Sequence, residues 1–99
     1  MADPLKIIWT SESIQNLEII INYLRTKWTE REVNNFLAKL DKAVALISTR
    51  PKLFRLTKYR SNIRKCVLTK QTTIYYSAES SEIKIMSLFD NRQNPDKLK

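Results

Sequence analysis

The side chains able to do chemistry in this sequence are lysines, arginines, tyrosines and a few carboxylates. Lys58 and Arg60 precede the adjacent pair Arg64 and Lys65, Tyr75 and Tyr76 come soon after, and Arg92 stands near the end. Cations converging on one point would hold a phosphate or a carboxylate, and the planar fork of a guanidinium matches two such oxygens at once. The tyrosines would add a stacking surface for a base, although for each the simpler reading is a core ring with its hydroxyl in water. Arg64 and Lys65 are neighbours in what reads as a strand, so they leave on opposite faces and only one enters a given groove. The local pattern does not say which.

What is missing narrows the chemistry further. The 99 residues include no histidine, no glycine and one cysteine. Without them there is no zinc-type cluster, no Ser-His or Cys-His pair, no phosphate-binding glycine loop and no nucleophile elbow. No cofactor and no metal is expected. Cys66 reads as a small apolar side chain within a strand. One cysteine cannot form an internal disulfide, which fits a reducing cytoplasm. Any turn that needs positive φ must use Asn, Asp or Ser.

The charge is uneven. The chain carries a net +8, yet between Asp41 and Glu79 there are nine basic residues and no acidic one. The remainder holds nine basic and ten acidic residues, a net of −1, so the middle carries all of the excess. A field of one sign draws in polyanions or an acidic protein surface and speeds the encounter. We read it as a partner surface rather than ordinary solvated charge. No apolar run approaches the roughly 18 residues of a membrane span. Asp3 and Pro4 stand where a basic and then apolar leader would begin, so neither membrane nor secretion is expected.

The elements that must position these groups follow from periodicity. Lys6–Trp9 reads as a short strand, and Thr10 or Ser11 can cap the helix after it. Ile14, Leu17, Ile21, Leu24 and Trp28 recur at helical spacing, and Ile19, Ile20 and Tyr23 widen that stripe, so this helix is expected to be buried on more than one side. A capping box, Thr29-Glu30-Arg31-Glu32, restarts a helix after a break at Lys27–Trp28. Its stripe is Val33, Phe36, Leu37, Leu40, Val44 and Ile47, and Pro51 ends it. So short a link makes the two helices an antiparallel hairpin.

Beyond Pro51 the period falls to two. Leu53–Leu56 reads as an irregular edge strand, and Ile63–Thr69, Thr72–Ala78 and Glu82–Phe89 as an antiparallel meander. The fold class is therefore α+β: an N-terminal strand and a helical hairpin packed on one face of a mostly antiparallel four-stranded sheet, in one domain over residues 1–99. Such a chain buries about 60–65% of the surface its unfolded form exposes, enough for one core. In the last strand, alternation puts Ile83, Ile85 and Phe89 on one face and Met86 and Leu88 on the other, while Ile74 and Tyr76 oppose Tyr75. Both faces are then apolar and the helices cover one. Either the tail and the Leu53–Tyr59 loop fold over the second face, or a partner chain does.

The order of these elements, with the segments "IRKCVLTKQTTIYYSA" and "EIKIMSLFDNRQNPDKL", resembles the RelE/ParE superfamily of bacterial type II toxins. The features that carry the likeness are Arg64 opening one strand, Tyr76 near the end of the next, and the polar tail containing Asp, Arg and Pro. The resemblance implies a cytoplasmic toxin held inactive by a cognate antitoxin, which is often acidic. RelE-like members are ribosome-dependent mRNA endonucleases that activate a ribose 2′-hydroxyl with Lys, Arg and Tyr or His. ParE-like members poison DNA gyrase. In register with the RelE pattern, Arg64 matches a basic position and Arg92 the arginine after the last strand, but Cys66 stands where a lysine is expected and Thr73 where an arginine is. The balance leans towards ParE.

As a nuclease the chain would rely on Arg64, Lys65, Tyr76 and Arg92; antitoxin or target binding would use Lys58, Arg60, Arg64, Lys65, Tyr75, Tyr76 and Arg92. A basic nucleic-acid-binding module without toxicity is the third reading. In "FDNRQNP", Asn91 and Asn94 can turn the chain, Pro95 blocks further strand pairing, and Arg92 would sit at the mouth of the groove. Residues 91–99 are expected to form a mobile tail.

Overall fold

The structure, a computed structural model, describes residues 4–58, 60 and 62–92. Its elements in order are β1 (Lys6–Trp9), α1 (Ser11–Lys27), α2 (Glu30–Thr49), β2 (Ile63–Val67), β3 (Thr72–Ala78) and β4 (Glu82–Asp90). The sheet runs β1-β4-β3-β2. β2, β3 and β4 form the expected antiparallel meander, while β1 lies parallel to β4, so the sheet is mixed.

Thr10 does three jobs at the entry to α1. Its hydroxyl accepts the Ser13 N–H at 3.2 Å, which caps the helix, and it donates to the Ile85 and Met86 carbonyls at 2.8 and 3.0 Å. Its own N–H also donates to Ile85. β1 ends at Trp9, so from there on β4 has no strand on that edge. α1 takes over that edge, and Asn16 accepts the Leu88 N–H at 3.0 Å. Backbone groups that would be orphaned are thus satisfied by helix side chains.

Those contacts surround an irregularity that alters the last strand. Tyr75 pairs with Ser87 but Tyr76 with Ile85, leaving Met86 as an extra residue in β4. A bulge shifts the alternation by one, so every side chain beyond it changes face. Leu88 consequently joins Ile83 and Ile85 in the core, and Phe89 turns to the other face, the reverse of simple alternation.

One face packs on the helices. Ile20, Leu24, Val33, Phe36, Leu40 and Ile47 from the hairpin meet Cys66, Ile74, Tyr76, Ile83, Ile85 and Leu88 from the sheet. Hydrogen bonds between Leu5 and Ser48 tie the start of β1 to the end of α2. The second face carries Lys65, Val67, Thr73, Tyr75, Lys84, Phe89 and Ile8 by register. Apart from Ser77 its residues are half-exposed or exposed.

Several local expectations are revised. α1 is not buried on more than one side, because Ile14 and Ile19 remain 45% and 55% exposed. The sheet lies along one side only, so the wide stripe has nothing to meet on the other. Thr29 does cap α2, but its hydroxyl donates to the Glu32 carboxylate instead of accepting a backbone N–H. β2 stops at Val67 because the N–H groups of Leu68 and Thr69 both turn to the Thr72 carbonyl. The proposed edge strand at Leu53–Leu56 reduces to one bridge, Leu56 to Arg64. The need for positive φ without glycine is met at Asn62, with φ of 67°. Asn91 and Arg92 are tied to the fold rather than being part of a loose tail: the Asn91 N–H donates to Gln71 and Arg92 pairs with Asp90. Asn94, Pro95 and the rest of the expected mobile end lie outside the described residues, as does Tyr59.

One-sided burial of α1 has a measurable consequence. Ile20→Ala should cost about 2–5 kcal/mol in denaturant unfolding, whereas Ile14→Ala should stay within about 0.5 kcal/mol.

Candidate functional site: a pinned basic loop at the sheet edge

Between α2 and β2 the chain runs from Arg50 through a segment rich in cations, and five contacts hold it against the sheet. The buried Tyr76 hydroxyl donates to the Pro51 carbonyl at 2.7 Å. Arg64 Nη1 donates to the Phe54 carbonyl at 2.7 Å. The Phe54 ring stands edge-on to Tyr76, centroids 6.4 Å apart. Along the outer edge of β2, the Lys65 N–H donates to Arg55 and the Thr57 N–H to Ile63 at 3.1 and 2.7 Å. Thr57 then closes a turn with Arg60.

This frame decides where the cations point. Arg50, Lys52, Arg55, Lys58, Arg60 and Lys65 are exposed. So are Leu53, Leu56 and Val67, at 53%, 51% and 65%. The edge of β2 and the loop before it therefore mix apolar and cationic side chains on an exposed surface. Exposed apolar groups rimmed by charge mark an interaction surface more often than chance exposure does.

The seven candidate residues occupy four places. Arg64 pairs across the sheet with Tyr76 on the helix-packed face, and Lys65 pairs with Tyr75 on the open face. The structure thus settles which of the two neighbours meets the open face. Lys58 and Arg60 sit in the loop beside them. Arg92 lies at the opposite end of the sheet, past the Thr72–Asp90 pair, and does not join the others. Its guanidinium makes two hydrogen bonds to Asp90, 3.1 and 2.7 Å, and stacks 5.5 Å from the centre of the Tyr23 ring. Asp90 also accepts the Thr72 hydroxyl at 2.8 Å.

The electrostatics match this partition. Burial pushes the Tyr76 hydroxyl up to about 12, partly opposed by the charge on Arg64. Burial alone would also raise the Asp90 carboxyl, but the bonds from Arg92 and Thr72 outweigh it and hold the group below its usual range. Desolvation likewise raises the Cys66 thiol, as befits a buried apolar role. Among the described residues no group of three His, Cys, Asp or Glu is placed to hold a metal ion. Arg50, Lys52 and Arg55 were visible in the sequence only as members of the acid-free interval. Asp90, which neutralises Arg92, carried no signal beyond standing two positions away.

A family model for the ParE toxin of the type II toxin–antitoxin system parDE matches residues 7–95. No curated protein matches the chain. Among solved structures, the chromosomal ParDE toxin–antitoxin system from P. aeruginosa is similar with a TM-score of 0.73 at 12% identity, over 87% of this chain and 95% of that one. The YoeB dimer from Staphylococcus aureus gives 0.65 at 13%, over 88% and 97%. The E. coli DinJ–YafQ toxin–antitoxin complex gives 0.64 at 9%, over 92% and 97%. At such identities these likenesses concern the fold.

Two pH limbs test the pinning and clamping contacts. Tyr76 is raised in the folded state, so its contribution is present below its ordinary value near 10 and lost as pH rises towards about 12. Tyr76→Phe should lose about 1 kcal/mol at neutral pH and show a flatter alkaline limb in urea midpoints. Asp90 is depressed, so its contribution is present above about 4 and lost as pH falls through the lower folded value. Asp90→Asn should cost about 2 kcal/mol at pH 7, and the two proteins should converge in stability under acid.

Proposed function

The chain belongs to the ParE toxin family of type II toxin–antitoxin systems, and on that premise we propose that it arrests growth by binding an essential protein, DNA gyrase, while a cognate antitoxin neutralises it. It acts as one domain over residues 1–99, in the cytoplasm where its target and antitoxin are. Plasmid or locus stabilisation follows from such a pair. The contact surface is the β2 edge with the basic loop before it, and no cofactor takes part.

The observation that carries this reading is the exposed surface itself, where Leu53, Leu56 and Val67 stand among cations. It suits an acidic protein partner, since apolar contacts supply affinity and the charge supplies encounter rate. The dispersal of the candidate nuclease residues supports the same choice. Cleavage through a 2′-hydroxyl needs a base and several cations around one phosphate. Here Arg64 donates inward to a backbone carbonyl, the Tyr76 hydroxyl is buried, and Arg92 is paired with Asp90 at the far end.

The test is a supercoiling assay with purified gyrase. Inhibition by the wild-type chain is expected, with the double charge reversal Lys52→Glu, Arg55→Glu weakening it roughly tenfold or more. Normal supercoiling at large excess overturns the reading. If ribosome-bound message is then cut at codon-defined positions, and Arg64→Ala abolishes the cuts, the chain is a RelE-like mRNA interferase. If expression causes no growth defect, it is a basic nucleic-acid-binding module.

A further inference from the structure

A second polar site lies away from the basic loop. Where the helical hairpin meets the turn between β2 and β3, a notch of about 220 Å³ is bounded by Arg92, Lys39, Asn35 and Gln71, with Leu24 and Phe36 beneath. It is smaller than the roughly 300 Å³ at which small-molecule pockets begin, so one or two side chains suit it better than a cofactor.

Arg92 is held there in advance of any ligand. Asp90 occupies one edge of its guanidinium through Nε and Nη2, and the Tyr23 ring supports its plane. A guanidinium has five N–H donors, so Nη1 and the second hydrogen of Nη2 are left over. The side chains of Lys39 and Asn35 and the side-chain nitrogen of Gln71 have no partner among the described residues, while the Gln71 side-chain oxygen accepts from the Thr69 hydroxyl. Donors lining one small volume, with the guanidinium among them already held in place, are what an anion site needs.

The charges decide which anion. Glu32 also lines the notch, with its carboxylate bonded to the Thr29 hydroxyl, and Asp90 lies behind Arg92. Two carboxylates nearby penalise a dianion more than a monoanion. Unpaired amides beside the cations also match a peptide backbone. We propose that this notch receives a glutamate or aspartate side chain of an acidic peptide segment, bound by Arg92 and Lys39. The site is separate from the gyrase-binding surface and is occupied without displacing Asp90.

The experiment is an NMR titration of the full chain with Ac-Ala-Glu-Ala-NH2, Ac-Ala-Gln-Ala-NH2 and inorganic phosphate. The glutamate peptide should shift the Arg92 Nε–H and the side-chain amides of Asn35 and Gln71. The glutamine peptide should bind roughly fivefold more weakly. Two substitutions at the notch rim should act in opposite directions: Lys39→Gln weakening the glutamate peptide and Glu32→Gln tightening it, each by about two- to fivefold. Equal binding of both peptides, tighter binding of phosphate, shifts confined to residues 50–60, or weakening by Glu32→Gln would each overturn the assignment. Neither gyrase nor an antitoxin is needed, so failure here leaves the proposed function standing, and the converse also holds.

Discussion

A buried phenol must place its O–H on an acceptor, and in this fold that requirement fixes where the chain goes after the second helix. Tyr76 is fully buried, and its hydroxyl reaches the carbonyl of Pro51. An unmet hydroxyl there would cost about 1–3 kcal/mol, so the acceptor cannot drift. Arg64, one strand over in register with Tyr76, repeats the constraint three residues later at Phe54. Between them they convert a stretch without regular structure into a platform. The exposed cations on that platform are carried by a backbone that two inward donors hold in place.

The sheet itself depends on a similar economy at its other long edge. β1 is four residues long and cannot accompany β4 to its end. Thr10 caps a helix and satisfies the carbonyls of the bulged Met86 and of Ile85 before it, and Asn16 supplies the acceptor for Leu88. The bulge at Met86 is then stable, and it turns Leu88 into the core while sending Phe89 to the open face. Had the strand alternated without interruption, Phe89 would stand in the core in place of Leu88, and Leu88 would stand on the open face.

Charge is distributed over the two ends of the sheet in different ways. At the β2 edge the cations are exposed and have no acidic neighbours in sequence. At the opposite end Arg92 is bound to a carboxylate whose side chain is 1% exposed and to an aromatic face. The first arrangement acts at a distance and weakens with salt. The second is local and keeps its geometry. Two arginines that look equivalent in the sequence, Arg64 and Arg92, are both committed inside the molecule, one to a loop and one to a strand end.

The periodicities alone determined the six regular elements, though not that Leu53–Leu56 would be a single bridge. Lys6–Trp9 and Thr72–Ala78 are strands to the residue, Thr10 is the cap, and the α2 stripe is the buried one. An asparagine does supply the positive φ that no glycine is present to take. These are local properties: the backbone preference of a residue and the spacing of apolar side chains act within a few positions. What only the tertiary structure decided is every absolute assignment to a face. Alternation says that Arg64 and Lys65 oppose each other, but the pairing with Tyr76 and Tyr75 says which lies where. The same holds for the exposed Ile14 and Ile19, for the switch at Met86, and for Arg92 meeting Tyr23. Each depends on which distant surface is present to be met, and short-range spacing carries no record of that.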